Sequence, residues 1–372
     1  MNALQAETAD HPKSAQDSLA LDETLVQTVM EHLGISRSED CSWEMIAQGG
    51  SGREFYRVRS SGAGPRSSAI IMRYSDDREE NLFYPEIASF LLGIQVNVPR
   101  VLFHDATRHL IGLEDLGDQS LFHAFQNASD EVRVEALYRS SLDQIQILHQ
   151  HSACPARTMS GFDEKLYRWE RSYFLENLVA RWAKVNLSPT ELRSIEFEGE
   201  NMAAELVRAP GCLIHRDFQS QNLLVHENRV WLIDFQGMRL GHAAYDLASL
   251  LYDPYVKLDA SRRVSLLDWY LDLSRSKRDR SVANGAFPKT IEPFDRNAFV
   301  RQFYCAAVQR LMQALGAYAF LGLVKEKRGF LRFIPQGLQN LADALNCLGD
   351  TPHTIALVQR ILNGPRLKVG AV

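Results

Sequence analysis

The sequence centres on the stretch HRDFQSQN at residues 215–222, which is followed twelve residues after its last Asn by DFQ at residues 234–236. Between the two stretches lie the apolar run LLV, the polar turn HENR and the apolar run VWLI. Two short apolar runs around a polar turn predict a β-hairpin. A hairpin brings the residues on its two sides into register, so the polar side chains at its two ends are predicted to converge.

Three of these polar side chains have the chemistry that phosphoryl transfer needs. The reaction requires a carboxylate that orients or deprotonates the attacking hydroxyl, and oxygen ligands for a Mg²⁺ ion that bridges the phosphates. Asp217 follows a predicted strand and supplies the first, while Asn222 and Asp234 supply the second. Because the spacing has the form of the kinase catalytic loop HRDxxxxN followed by a metal-binding Asp, we predict Asp217 as the catalytic base and Asn222 and Asp234 as metal ligands.

Two neighbouring residues have supporting roles in this prediction. His215 is expected to hydrogen-bond to the backbone and so to hold the loop. Asp246, in the segment AYDLA at residues 244–248, opens a predicted helix. It either caps that helix or accepts hydrogen bonds that fix the catalytic loop, and the two roles are compatible.

The residues before this centre have the pattern of a small β-rich lobe. Predicted strands are separated by glycine-containing turns, and they lie at residues 43–46, 55–59, 69–73, 98–103 and 110–114. The chain is then predicted to be nearly all helical from about residue 120 to 207, and a long exposed connection is predicted at residues 274–297.

The resulting fold class is α+β, with a two-lobed, protein-kinase-like architecture. We predict a disordered leader at residues 1–20, a small antiparallel lobe at 21–117 that ends in a hinge, and a large, mostly helical lobe at 118–372.

The glycine turn after the first predicted strand is a candidate phosphate-binding loop. Backbone N–H groups of Gly50, Ser51 and Gly52 would approach phosphate oxygens, although GGSG is also an ordinary hairpin turn. Arg53 directly follows this turn and is a candidate phosphate ligand.

One expected residue is missing, because the small lobe contains no lysine. A kinase usually grips the α- and β-phosphates with a lysine on the third strand, paired to a helix Glu. Here the third predicted strand ends in Arg73, for which Glu86 is the candidate partner. Either Arg73, Arg53 or Arg57 takes this role, or the loop amides and the metal suffice. Arginine is a permanent bidentate phosphate ligand, so the exchange is chemically reasonable.

The chain resembles the aminoglycoside phosphotransferase/choline kinase-like family. The resemblance is carried by the HRDFxxxN stretch, by IDFQ at residues 233–236 and by GHAAYDLA at residues 241–248. A finer resemblance, to the anomeric kinases of N-acetylmuramate and N-acetylglucosamine, is carried by residues 96–101, 114–117 and 308–316. Together these matches span about residues 45–345.

This resemblance implies a two-lobed kinase with ATP and Mg²⁺ as cofactors and a sugar hydroxyl as acceptor. It places ATP in the interlobe cleft against the hinge, which makes Glu114 and Leu116 candidate nucleotide-binding residues, and it gives Asp246 the role of a buttress for the catalytic loop. The anomeric C1 hydroxyl is the acceptor that the finer resemblance implies, in a nucleotide-sugar or peptidoglycan-recycling (cell wall recycling) route.

Other functions stay open at this stage. The acceptor is alternatively another small hydroxyl compound, such as an aminoglycoside, choline or thiamine. A polycationic aminoglycoside needs an acidic site, whereas the helix at residues 296–323 offers Gln309, Arg310 and Gln313, and we therefore take Gln309 and Arg310 as candidate sugar-binding residues. Because the lysine is missing, a pseudokinase that binds nucleotide without turnover also stays open. A protein kinase is not favoured, because no APE-type segment follows Asp234.

Composition restricts the partners and the compartment. The formal net charge of −5 argues against a protein that binds the nucleic-acid backbone. Five scattered cysteines without CxxC spacing favour a reducing compartment, and no run of eighteen apolar residues is present. We expect a cytoplasmic monomer or weak dimer that binds a small-molecule substrate, with no nucleic acid and no membrane as partner.

Overall fold

The computed structural model describes residues 23–35, 41–48, 53–60, 68–127, 130–154, 156–283 and 295–368. The predicted leader at residues 1–20 and the glycine turn with Gly50, Ser51 and Gly52 lie outside these ranges.

The first part of the chain forms a five-stranded antiparallel sheet with the order β1-β2-β3-β5-β4. Its strands are β1 (Cys41–Gln48), β2 (Glu54–Ser60), β3 (Ser68–Arg73), β4 (Val101–Asp105) and β5 (Leu110–Glu114). The fifth predicted strand has the observed bounds. The fourth begins at Val101, because Val98 and Pro99 belong to the irregular approach to the strand.

The two faces of this sheet pack against different partners. Helix α1 (Glu23–Leu33) covers the outer face, where Val29 packs in one cluster with Val58 and Ile71. On the inner face, Met72 belongs to the main core, which also contains residues of helix α2 (Tyr84–Gly93) and of the second lobe. Because side chains alternate along a strand, neighbours on β3 face opposite sides of the sheet.

The second lobe is mostly helical, as predicted. In the described part of the chain its helices are α3 (Leu121–Gln126), α4 (Glu131–His149), α5 (Glu164–Phe174), α6 (Pro189–Arg208), α7 (Ala243–Leu251), α8 (Ala260–Ala283), α9 (Arg296–Leu323), α10 (Ile334–Leu348), α11 (Pro352–Leu362) and α12 (Pro365–Lys368). A π-helical segment at Leu175–Trp182 extends α5. None of the helices in the described ranges is long and apolar enough to cross a membrane.

The exposed connection predicted at residues 274–297 is wrong in its first part. Helix α8 continues to Ala283, and residues 284–294 lie outside the described ranges. The prediction took the many charges here as a sign of a loop. The segment SRSKRDRSVA at residues 274–283 contains neither Gly nor Pro, and Lys and Arg are good helix formers.

Two small antiparallel sheets position the predicted catalytic residues. Strand β6 (Cys212–Ile214) pairs with β9 (Arg239–Gly241), and β7 (Leu223–His226) pairs with β8 (Arg229–Leu232). The predicted hairpin is therefore present, with Leu223 opposite Leu232. Its turn residues Glu227 and Asn228 both have positive φ, of 49° and 58°, which is the conformation of a tight two-residue hairpin turn.

Candidate active site

The loop after β6 is held by Asp246 from helix α7. Its two carboxylate oxygens accept hydrogen bonds of 2.7 Å from the backbone N–H groups of His215 and Arg216. His149 Nε2 lies 3.0 Å from the same carboxylate. The cap of α7 is His242, whose side chain accepts from Ala244 N–H, so Asp246 contacts the loop instead of capping its own helix. These are the hydrogen bonds that a buttress requires.

The loop has an unusual backbone conformation at Arg216, where φ is 77°. This left-handed region is unfavourable for a side chain with a Cβ and persists only where the surroundings impose it. Asp246 fixes the N–H of Arg216, and Ser249 Oγ donates to its carbonyl at 3.3 Å. The loop is thus held from helix α7 on both sides of this residue.

His215 connects the catalytic loop to the hairpin. Its Nε2–H donates to the carbonyl oxygen of Ile233 at 3.0 Å, which is the contact with backbone that the sequence predicts. The N–H of Ile233 in turn donates to the carbonyl oxygen of Asn222 at 3.0 Å. The residue before Asp234 is therefore tied to both ends of the HRDFQSQN stretch.

Asp217 is buried and ion-paired with Arg310 of helix α9. Arg310 Nη2 lies 3.3 Å from Asp217 Oδ1. Burial alone would raise the pKa of Asp217, but the positive charges of Arg216 and Arg310 outweigh it and lower the pKa to about 2. Asp217 is therefore ionised at neutral pH and can accept a hydrogen bond from an acceptor hydroxyl.

Arg310 itself is oriented by neighbours from three elements. Its guanidinium donates to Ser249 Oγ at 2.9 Å, to Gln219 Oε1 at 3.2 Å and to Gln313 Oε1. The structure therefore brings Arg310 to the predicted base. The side-chain amide of Gln309, the second candidate on this helix, is fully buried and makes no hydrogen bond within the described part of the chain.

Asn222 and Asp234 present oxygen atoms at the other side of the loop. The amide nitrogen of Asn222 donates to the carbonyl oxygen of Asp217 at 2.9 Å, so its Oδ1 points away from that contact. Asp234, in the left-handed conformation with φ 64°, accepts from Gln236 Nε2 at 2.6 Å. One carbonyl and one carboxylate fit Mg²⁺, which usually takes only one or two protein side chains besides phosphates and waters.

The structure distinguishes between Arg53 and Arg73, two of the arginines that the sequence left as alternatives for the phosphate-binding role. Arg53 is almost fully buried, and its Nη2 lies 2.9 Å from Asp234 Oδ1. Arg73 lies on the outer face of β3, next to Met72 on the inner face, and pairs with Glu54 at 3.6 Å rather than with Glu86, which is exposed on α2. The structure thus brings Arg53, and not Arg73, to the predicted metal ligand.

Arg57 ties the sheet to the predicted hinge. It donates to both carboxylate oxygens of Asp115, at 2.8 and 3.1 Å, and to both of Asp118, at 2.6 and 2.8 Å. Glu114 at the end of β5 accepts from the backbone N–H of Arg100 at 3.3 Å, and the carbonyl of Leu116 accepts from His226 at 3.2 Å. The chain between the lobes is therefore ordered by charge-assisted hydrogen bonds, while the nucleotide-binding roles of Glu114 and Leu116 stay predictions.

A buried carboxyl and two further arginines lie close to Asp217. Glu170 on α5 accepts from Tyr245 Oη at 2.9 Å, and burial raises its pKa to about 7 against the opposing charge of Arg216. Arg239 on β9 is buried, and its guanidinium stacks over Phe162 at 5.6 Å. The three arginines Arg216, Arg239 and Arg310 outnumber the acidic Glu170, so the surroundings of Asp217 are predominantly cationic.

A second buried acid supports the catalytic loop from the end of α7. Asp253 accepts from the N–H and Oγ of Ser220, at 2.8 and 2.6 Å, and from the N–H of Tyr255 at 2.9 Å. Burial raises the pKa of Asp253 to about 6 against these hydrogen bonds. Asp253, Glu170 and Arg239 were not predicted from the sequence. No sequence signal distinguishes these buried charged residues from the charged residues that face solvent.

Comparisons with known proteins agree with this architecture. The profile of the phosphotransferase enzyme family (APH) matches residues 43–281. The chain is 25% identical over 318 residues to the N-acetylmuramate/N-acetylglucosamine kinase of Neisseria meningitidis serogroup B, covering 86% of this chain and 90% of that protein. It is 23% identical over 282 residues to the protein of that name from Pseudomonas aeruginosa, covering 76% and 78%.

Solved structures share the fold at low identity. A choline kinase from Cryptosporidium parvum has a TM-score of 0.59 at 11% identity, over 89% of this chain and 98% of that one. The gentamicin–APH(2")-IIa complex has a TM-score of 0.56 at 14% identity, over 86% and 96%. The predicted family resemblance and the two-lobed α+β fold are therefore confirmed.

Proposed function

Since the chain belongs to the phosphotransferase enzyme family (APH) and is a small-molecule kinase with a hydroxyl acceptor, we propose that it transfers phosphate from Mg-ATP to an N-acetyl amino sugar. The relatives named as N-acetylmuramate/N-acetylglucosamine kinases support this choice of acceptor. The observation that carries it is the cationic surroundings of Asp217, with Arg216, Arg239 and Arg310. A polycationic aminoglycoside or a quaternary amine would be repelled there, whereas a neutral or anionic sugar would not. We place the reaction in the cytoplasm, as the cysteine pattern predicts.

In this mechanism Asp217 accepts a hydrogen bond from the acceptor hydroxyl and orients it toward the γ-phosphate. Arg310 holds the carboxylate in place and keeps it ionised. A carboxylate with a pKa of about 2 is a weak base. It therefore suits a reaction in which little proton transfer precedes bond formation. It also suits an acceptor hydroxyl that is more acidic than an ordinary alcohol. The anomeric hydroxyl is such a group, because the ring oxygen withdraws electron density, and we propose it as the acceptor.

The proposed metal ligands are Asn222 Oδ1 and the Asp234 carboxylate, and bound Mg²⁺ would neutralise charge on the phosphates. Arg53 is the proposed replacement for the missing lysine. It pairs with Asp234 across the cleft, at the position where a cation can contact both the metal-binding carboxylate and the phosphates.

A panel of acceptors assayed for ADP release tests the proposal. We expect ADP release with N-acetylmuramate and N-acetylglucosamine and none above the ATPase background with choline, thiamine or kanamycin. The matched acceptor pair is N-acetylglucosamine and its 1-O-methyl glycoside, which lacks only the free anomeric hydroxyl. ADP release with an amino alcohol or an aminoglycoside, and with no sugar, would replace this proposal by the second enzyme class.

The role of Arg53 is tested by a matched pair of arginine variants. Arg53→Gln is expected to raise KM for ATP about 10- to 100-fold, because a charge-assisted hydrogen bond to phosphate is lost, and to change KM for the sugar little. Arg73 is the last residue of β3, opposite Glu54 and on the outer face, so Arg73→Gln is expected to change KM for ATP less than about twofold. A larger effect at Arg73 than at Arg53 would return the phosphate-binding role to Arg73.

A further inference from the structure

Two arginines beside Asp217 meet around Gly237. Arg239 Nε donates to the carbonyl oxygen of Gly237 at 3.1 Å. A Cβ placed on Gly237 would lie 3.9 Å from both Cδ and Nη1 of Arg216, so the Arg216 side chain passes over the same residue. The two guanidinium groups therefore border one region, adjacent to the predicted base.

Both arginines are held in place by their backbones. Arg216 has positive φ and is fixed by Asp246 and Ser249, as described above. Arg239 belongs to β9, where it lies opposite Ile214 of β6. Neither side chain is on a flexible surface loop, so the position of both charges is set by the same elements that place Asp217.

Both positive charges are attracted by Asp217 and Glu170, but neither guanidinium lies within salt-bridge distance of these acids. Within the described part of the chain, no carboxylate forms an ion pair with Arg216 or Arg239. The neighbouring Asp217 is paired with Arg310, and Glu170 is hydrogen-bonded to Tyr245 with its pKa raised to about 7. Burial and then the like charge of Arg216 lower the pKa of Arg239 to about 10, yet an arginine stays protonated at neutral pH. Arg239 is buried and Arg216 is half-buried, and such charges are normally paired, so this excess of positive charge indicates an anionic ligand.

We propose that Arg216 and Arg239 bind a carboxylate of the acceptor, so that the enzyme prefers an acidic N-acetyl amino sugar to a neutral one. The inference rests on the proposed function. N-acetylmuramate differs from N-acetylglucosamine by a lactyl ether that carries a carboxylate, and the planar guanidinium fork matches carboxylate geometry. The phosphates of ATP are assigned to Arg53 and to the metal held by Asp234, which pair with each other, so Arg216 and Arg239 are left for the acceptor.

The first test changes the ligand and leaves the protein intact. For the wild-type enzyme, kcat/KM for N-acetylmuramate is expected to exceed that for its uncharged lactyl methyl ester by about 10- to 100-fold, mostly through KM, as for the loss of a charge-assisted hydrogen bond. N-acetylglucosamine, which lacks the lactyl group, serves as the neutral reference. An ester that is used as well as the free acid overturns the proposal without any variant.

The second test changes the arginines one at a time. Arg239→Gln is expected to lower kcat/KM for N-acetylmuramate by about 10- to 100-fold and to leave that for N-acetylglucosamine within about threefold. Arg216→Gln also changes the charge beside Asp217, so it is expected to lower kcat/KM for both sugars, and that for N-acetylmuramate more. Arg239→Lys retains the charge without the fork and is expected to keep part of the preference. The control Arg360→Gln removes an arginine that pairs with Glu191 at 2.9 Å on the surface, and the ratio between the two sugars should not change.

The outcomes separate this inference from the proposed function. If variants with the wild-type melting temperature lose activity equally toward both sugars, the arginines serve phosphoryl transfer and the carboxylate site is wrong, while the sugar kinase stands. If wild-type enzyme uses both sugars and the ester equally well, the same conclusion follows. If it phosphorylates none of the three, both proposals fail.

Discussion

Asp217→Asn is expected to lower kcat by about 10³- to 10⁴-fold, because hydroxyl orientation and proton acceptance are lost together. Asparagine has the same shape, but its neutral amide has a single carbonyl oxygen, which accepts the hydrogen bond of the hydroxyl more weakly and cannot take up its proton. ATP binding should be retained, since Asp217 contacts the predicted metal ligand Asn222 through its backbone carbonyl, which the substitution leaves in place. The measurement is single-turnover ADP formation with saturating ATP and sugar.

The variant also removes the negative charge that pairs with Arg310, so its melting temperature must be measured beside its activity. Asp350→Asn is the matched control, because Asp350 pairs with Arg301 at 2.7 Å on the protein surface and lies outside the site. We expect this control to keep its turnover, since exposed ion pairs contribute little. Near-native turnover of a folded Asp217→Asn enzyme would show that Asp217 is not the base.

Asp234→Ala is expected to abolish Mg²⁺-dependent ATP binding, the second large effect. A carboxylate is the stronger of the two protein ligands proposed for the metal, and its loss also leaves Arg53 without its charged partner in the cleft. Asn222→Ala should weaken binding less, because it removes a neutral carbonyl. Calorimetric titration with ATP at several Mg²⁺ concentrations measures both effects.

Asp234→Asn accompanies the alanine variant, because a buried arginine without a counter-charge destabilises the fold. The asparagine keeps a polar group beside Arg53, and it is expected to bind Mg-ATP weakly as a folded protein. An unchanged affinity for Mg²⁺ in the presence of ATP, in either Asp234 variant, would remove Asp234 from the metal site.

The catalytic centre was predictable from sequence because its residues are close along the chain. The contacts of His215 and Asn222 with the backbone at residue 233 follow from one hairpin, whose turn signal is local. Asp246 was found from its position at the start of a helix, although its hydrogen bonds to the loop cross thirty-one residues of sequence. The family motif around Asp246 therefore predicted a contact between distant residues, which the spacing of the residues alone does not indicate.

The sequence left Arg73, Arg53 and Arg57 as candidates for the role of the missing lysine, because the choice among them depends on strand register. A shift of one residue along a strand changes the face of the sheet. The strand pattern of β3 ends in Arg73, yet the inner face carries Met72, and Arg73 points to the outer face with Glu54. Arg53 directly precedes β2, and nothing in the sequence next to it indicates a pairing with Asp234.

The cationic surroundings of the base depend on contacts between distant segments. Arg310 reaches Asp217 across the lobe, and Arg239 belongs to a three-residue strand that no periodicity reveals. Glu170 lies on an otherwise ordinary amphipathic helix, where a buried carboxyl has no sequence signal. Such groups become visible only when the packing of α5, α9 and β9 is known.

The central claim is transfer to the anomeric hydroxyl of an N-acetyl amino sugar, and the most direct measurement is the ratio of reducing sugar lost to ADP formed. A glycosyl phosphate cannot open to the aldehyde, so we predict that wild-type enzyme with Mg-ATP and N-acetylglucosamine consumes one reducing end for each ADP. Mild acid should then restore the reducing end and release free phosphate. Formation of ADP with the reducing end intact would contradict the claim, because the phosphate would be on another hydroxyl.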